Sequence, residues 1–255
     1  MIAARITAAL AAAALIAGCS RPPETAQEAA NASASATAAA TPNPAACPPP
    51  EYAYDAQEFG PRPDRLAVPA SLAAVAATDN TNLAVTTLAG GQICKDVSWV
   101  YGLGPKAQTY LGGRFVAIGY DAYEAFGTMV FDRSGKGLDV DTGNLPSFSP
   151  SGRLMAGLEL TASGFGGLES FVIWRVDKQG LTTIHRLPED HTIFTTLAGF
   201  TDFEIDRWKG ETCLEVFAFG EDDLRAADWD RDKARRTPFH AAEAESWEIR
   251  RGRCP

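Results

Sequence analysis

Asp202, Glu204 and Asp206 alternate with Phe203 and Ile205. A period of two puts the three carboxylates on one face of a strand and the apolar pair on the other. Glycoside hydrolysis needs two carboxyl groups about 5–10 Å apart, and i, i+2 positions on a strand lie roughly 7 Å apart at Cα. The spacing therefore permits a hydrolase, although a water-facing strand explains the same alternation. Asp228, Asp230 and Asp232 imitate the start of a calcium loop, but Lys233 stands where the turn glycine belongs and Phe239 where the closing glutamate belongs. They read as a solvated acidic helix followed by Lys233, Arg235 and Arg236, an order that suits the helix dipole. Asp139, Asp141, Gly143 and Asn144 read as a short acidic turn.

His185, His191 and His240 have neither strand nor helix spacing for a metal pair. The chain has no G-x-S-x-G elbow, phosphate loop or H-E-x-x-H motif. Ser149 and Ser151 flank a proline without a base nearby in sequence. No catalytic set, metal or cofactor is assigned. The remaining candidate is a recognition surface: Tyr120, Tyr123, Glu124 and Phe126 cluster in one loop, and the glycine-rich stretch 163–167 forms a second. Tyrosines on loops serve binding surfaces, whereas tyrosines between strands are ordinarily half-buried packing.

The elements that would position these residues are mostly strands. Short runs rich in Val, Ile, Phe, Tyr, Trp and Thr occupy 82–88, 114–120, 127–132, 153–160, 170–176, 181–187, 202–207, 212–219 and 247–251. Turn signals at 132–135, 177–180 and 208–211 separate them. Helical periodicity is confined to 70–77, 222–236 and 240–245. A weak repeat aligns Gly113-Arg114-Phe115-Val116-Ala117 with Gly152-Arg153-Leu154-Met155-Ala156, and Val130-Phe131-Asp132-Arg133 with Ile173-Trp174-Arg175-Val176. A third unit starts near Gly199 and runs through Phe203 and Cys213 to Phe219.

A period near 40 residues with four short strands is the size of one propeller blade. Phe148-Ser149-Pro150-Ser151-Gly152-Arg153-Leu154 resembles the F-S-P-D-G turn of TolB-like β-propeller repeats, with Ser151 in place of the aspartate. The expected fold is mainly β: a small or incomplete propeller-like array of four-stranded units, with a β-sandwich as the alternative. One short helical insertion is expected near the C-terminus.

Cys47, Cys94, Cys213 and Cys254 are an even set, read as two disulfides in an exported chain. Four cysteines allow three pairings. Cys213–Cys254 is favoured because both lie in strand-like runs, 211–217 and 246–254; Cys47–Cys94 would then fix the end of the preceding segment to the domain.

Export itself is read from the N-terminus. Arg5 precedes an apolar run from Ile6 to Ile16 that is too short to span a bilayer, the layout of a signal peptide. Ile16-Ala17-Gly18-Cys19 resembles the lipobox of bacterial lipoproteins. The resemblance implies that residues 1–18 are removed and that Cys19 is acylated, which anchors the chain in the membrane. Ser20 in place of an aspartate implies the outer membrane, facing the periplasm.

Residues 20–50 hold 11 Ala and 7 Pro with no aromatic or large aliphatic side chain, a composition expected to stay disordered. The organisation expected is leader 1–18, acylated tether 19–50 and β-rich domain 51–255. Loss of Arg5 takes the formal charge from −9 to −10, which disfavours nucleic acid as a partner. The function expected is a non-enzymatic binding or scaffolding module of the cell envelope, with an envelope protein or glycan as partner. The alternatives are a hydrolase of cell-wall glycan and a structural accessory.

Overall fold

The computed structural model describes residues 40–50, 65–122, 125–160, 167–168, 170–187, 197 and 199–255. The leader, Cys19 and the tether up to residue 39 lie outside the described residues, as do residues 51–64 of the expected domain.

The fold is mainly β, with four antiparallel sheets that follow one another along the chain. The first holds three strands, β1 (Ala76–Thr78), β2 (Asn82–Thr86) and β3 (Gln92–Asp96). The second holds β4 (Val100–Tyr110), β5 (Phe115–Ala122), β6 (Phe126–Asp132) and β7 (Leu138–Asp141). The third is β8 (Ser147–Phe148), β9 (Leu154–Glu159), β10 (Ser170–Asp177) and β11 (Gly180–Arg186); the fourth is β12 (Asp202–Lys209), β13 (Cys213–Phe219), β14 (Thr237–Ala242) and β15 (Ile249–Arg251). Within every sheet, spatial order equals chain order, so each is a meander; the connection from β13 to β14 carries residues 220–236.

Both faces of the middle strands are buried, and successive sheets stack through them. Val116, Ile118, Met129 and Phe131 pack with Leu83, Val85 and Ile93 of the first sheet. The opposite face of the second sheet, Phe115, Ala117 and Val130, packs with Met155, Val172 and Trp174 of the third. Ala156, Leu158, Phe171 and Ile173 then meet Phe203, Leu214, Val216, Phe239 and Ala241 of the fourth. Double burial is why these strands read as near-continuous apolar runs. The last face, Phe217 and Phe219, is covered by Leu224 and Ala234, from a short helix α1 (Glu221–Ala226) and the turns that follow it.

The repeat inferred from sequence occupies equivalent positions in two sheets. Phe115 pairs with Asp132 across β5 and β6, and Leu154 pairs with Arg175 across β9 and β10. The turns at the far end are also tied together: Ser149 Oγ and Ser151 Oγ donate to Glu211 Oε2 at 2.8 and 2.6 Å, and the Ser151 amide donates to Oε1 at 2.8 Å. The serines beside Pro150 thus staple the third sheet to the fourth.

Two disulfides close the fold, Cys47–Cys94 and Cys213–Cys254. Residues 40–50, which composition places in the tether, include a 3-10 turn at Pro44–Ala46. Asn43 and Gln92 clamp this segment reciprocally: the Asn43 amide donates to Gln92 Oε1 at 3.2 Å, and Gln92 Nε2 donates to the Asn43 carbonyl at 3.0 Å.

Two of the expected helical stretches differ in the structure, and the turn expected near 70–77 is present in part. Residues 240–242 belong to β14, because Phe239 and Ala241 are needed in the core between the third and fourth sheets. The helix expected over 222–236 stops at Ala226, where Asp228 and Trp229 turn to positive φ, 52° and 63°. Only Ala70–Leu72 of the stretch 70–77 is helical, as a 3-10 turn. Among the described residues, no helix is long and apolar enough to cross a membrane.

Candidate functional site

In a four-strand meander, the start of the first strand and the turn from second to third strand lie at the same end. That end gathers the start of β6 at Phe126, the connection from β7 to β8, the end of β9, the start of β12 and the helix α1 segment. Between them lies a cleft of about 490 Å³, within the range of roughly 300–1,000 Å³ typical of small-molecule sites. Phe203 and Leu224, each 3% exposed, form its apolar floor. Phe126 and Trp229 stand at its rim, 51% and 62% exposed. A smaller cleft of about 220 Å³ shares Phe126 and Asn144 with it and extends along Gly104 and Lys106 of β4.

Polar side chains in the cleft are fixed by neighbours. Asp202 receives a fork from Arg231, with Nη2 2.7 Å from Oδ1 and Nε on Oδ2; Oδ1 also accepts from the Phe203 amide at 2.8 Å. Asn144 Nδ2 donates to the Leu158 carbonyl at 3.0 Å. Glu159, 3% exposed, accepts from the Leu168 amide at 2.9 Å. Thr201 anchors its own backbone on the Phe219 carbonyl, yet its hydroxyl is buried with no hydrogen-bond partner.

Trp229 is exposed on a tight turn. Positive φ at two successive non-glycine residues, Asp228 and Trp229, costs on the order of 1–3 kcal/mol each. The Trp229 amide donates to the Leu224 carbonyl at 2.7 Å, which locks the reversal in place. A large aromatic displayed on strained backbone is the arrangement associated with ligand clamps.

The recognition loop read from sequence is divided by the fold. Tyr120 faces inward with Val116 and Ile118, because it shares their side of β5, and it is 5% exposed. Its hydroxyl donates to Asp141 Oδ2 at 2.7 Å. Burial first, then the Asp141 carboxylate, pushes the phenol well above its usual range. Burial also raises the Asp141 carboxyl, against the opposing pull of the Tyr120 and Gly143 hydrogen bonds. Phe126 keeps its surface position and lines the cleft; Tyr123 and Glu124 lie outside the described residues. The second candidate loop meets the first at Gly167, whose amide donates to the Phe126 carbonyl at 3.2 Å; residues 163–166 lie outside the described residues.

The strand carboxylates are all in ion pairs. Asp202 pairs with Arg231, Glu204 with Arg236 at 3.7 Å, and Asp206 with Arg253 at 3.3 Å. A bulge between Ile205 and Arg207 interrupts the alternation, so Arg207, not Asp206, sits opposite Glu215. Asp230 and Asp232 pair locally with Lys233 and Arg236, and Asp139 pairs with Lys95 at 2.6 Å. His185 packs on Phe171, with burial lowering its pKa; His240 meets Glu245 and the Gly252 carbonyl. His191 lies outside the described residues. No group of three or more His, Cys, Asp or Glu among the described residues is arranged to hold a metal ion.

No protein-family model matches the chain, and neither the curated proteins nor the solved structures contain a match to it.

Proposed function

We propose that the chain is a lipid-anchored protein of the cell envelope, attached through Cys19, facing the periplasm and most consistent with the outer membrane. Its domain is a small propeller-like array serving as a non-enzymatic binding module. The observation that carries the binding reading is the rim of exposed Phe126 and Trp229 around a cleft whose floor is apolar and whose polar groups are already held in place. Such a surface is suited to recognition. The propeller-like reading is supported by meanders that stack in chain order through three successive cores; a two-layer sandwich gives no reason for that order. The hydrolase reading is weakened by the arginine on each of Asp202, Glu204 and Asp206, since a general acid requires a raised, not a neutralised, carboxylate.

The test is photo-crosslinking in intact cells, with the reactive side chain at Phe126 or, outside the cleft, at exposed Leu88. The expected result is adducts formed from position 126 that position 88 does not form. Identical adducts from both positions would remove the cleft from consideration. In the same cells, a fatty-acid label should enter the wild-type chain and not the Cys19→Ala variant; equal labelling would end the anchor assignment.

A further inference from the structure

We infer that the cleft takes a neutral sugar, presented as a short oligosaccharide. This inference rests on the binding-module reading and names its ligand.

The chemistry of the lining discriminates among ligand classes. Glu159, Asp202, Glu221 and Arg231 line the cleft; Asp202 is paired with Arg231 and Glu221 with Arg225. A phosphate, sulfate or other anion would satisfy Arg231 only by displacing Asp202 and would then confront the remaining carboxylates. A cation would have to displace Arg231 from Asp202 or Arg225 from Glu221, since both carboxylates are already in ion pairs. A hydroxyl both donates and accepts, so a ring of hydroxyls matches a lining that holds fixed acceptors and fixed donors together. The flat CH faces of a sugar ring meet the exposed planes of Phe126 and Trp229, while the ring edge reaches the polar groups.

The Thr201 hydroxyl supplies an independent sign. Its oxygen is buried without a hydrogen-bond partner in the free chain, and the residue that carries it is part of the cleft lining. Leaving such a group unsatisfied is unfavourable, and a native structure that tolerates one has a reason for it. A ligand hydroxyl is the partner that fits, because the threonine can then act as donor or acceptor as the sugar requires.

The experiment uses the full chain, purified from membranes in a detergent without sugar headgroups, with tryptophan emission as the signal. Neutral gluco- and N-acetylglucosamine oligosaccharides, a sulfated oligosaccharide and spermine are titrated separately. Saturable binding of a neutral oligosaccharide, insensitive to salt, is the expected result. Trp229→Ala should weaken it by about tenfold or more. Thr201→Val should weaken it by about fivefold while raising, not lowering, the thermal unfolding midpoint of the free chain, since it removes an unsatisfied buried hydroxyl. Binding of spermine alone or of the sulfated sugar alone would overturn the inference, as would neutral-sugar binding unaffected by both substitutions. If no probe binds while position 126 still crosslinks to an envelope protein, the sugar inference fails and the binding module stands; failure of both removes both.

Discussion

Replacing both cystine pairs with serine is expected to leave the domain largely unfolded at room temperature. Cys47–Cys94 spans 47 residues and Cys213–Cys254 spans 41. By the loop-closure relation, each restricts the unfolded chain by about 4 kcal/mol. Together they amount to roughly 8 kcal/mol, against a total stability for such domains of about 5–15 kcal/mol. The two bridges also hold the extremities: one fixes the segment around Pro44–Ala46 to β3, and the other fixes the C-terminus to β13, the central strand of the last core. Urea unfolding of Cys47→Ser/Cys94→Ser, of Cys213→Ser/Cys254→Ser and of the fourfold variant measures this directly. Each pair should lower the unfolding free energy by a similar amount. A loss below about 1 kcal/mol for either pair would mean that the unfolded chain is already restricted there, contrary to the entropic account.

Much of the fold was legible because double burial writes itself into sequence. The runs 115–120, 153–160, 170–176 and 212–219 are apolar on both faces, and each became a middle strand of a sheet. The repeat was legible for the same reason: Phe115 and Leu154 both open the second strand of a meander. The strands that escaped notice are of a different kind. β4 carries Gly102, Gly104 and Pro105 and breaks register twice, while β8 has two residues and β7 has no buried side chain. Their conformation is dictated by a partner strand, not by local propensity. The alanines and glutamates of 240–245 favour a helix; burial of Phe239 and Ala241 draws 240–242 into β14 instead, and Glu243–Glu245 forms only a 3-10 turn.

The cleft was less legible. Phe126 and Asp202 were singled out from sequence, the first as a loop aromatic and the second as a strand carboxylate. Thr201 adjoins Asp202 in sequence, but nothing in their spacing joins them to Asn144, Glu159, Trp229 or Arg231, which arrive from other segments. Only the common end of successive meanders assembles them. Trp229 did carry a local signal: it lies between Asp228 and Asp230, where a buried tryptophan would drag charges inward. The acidic stretch was instead read as a helix, and a helix offers no reason for an outward tryptophan. The helix instead ends at Ala226, and the turn that follows leaves Trp229 62% exposed.

Arg114→Met is expected to cost about 3–5 kcal/mol and to reverse one component of the acid response. Arg114 forks onto Asp132, Nε to Oδ1 at 2.9 Å and Nη2 to Oδ2 at 2.7 Å, and the aspartate side chain is 1% exposed. Burial alone would raise the Asp132 carboxyl, but the Arg114 fork and the Ser134 hydrogen bonds outweigh it and hold the pKa below the usual range. A depressed folded pKa contributes stability that is present above the unfolded value, about 3.9, and lost as pH falls through the folded value. Methionine preserves much of the side-chain volume but strands the carboxylate, whose pKa must then rise above its unfolded value. The variant therefore regains stability relative to wild type as the solution is acidified, because protonation relieves the buried charge. Urea midpoints measured from neutral pH to below pH 4 for wild type, Arg114→Met, Asp132→Asn and the double variant test this reversal. The double variant should recover part of the loss, because no uncompensated charge remains. A deficit in Arg114→Met that is constant with pH would place its cost in lost packing on Phe115, whose ring lies 4.9 Å beneath the guanidinium, and not in the stranded carboxylate.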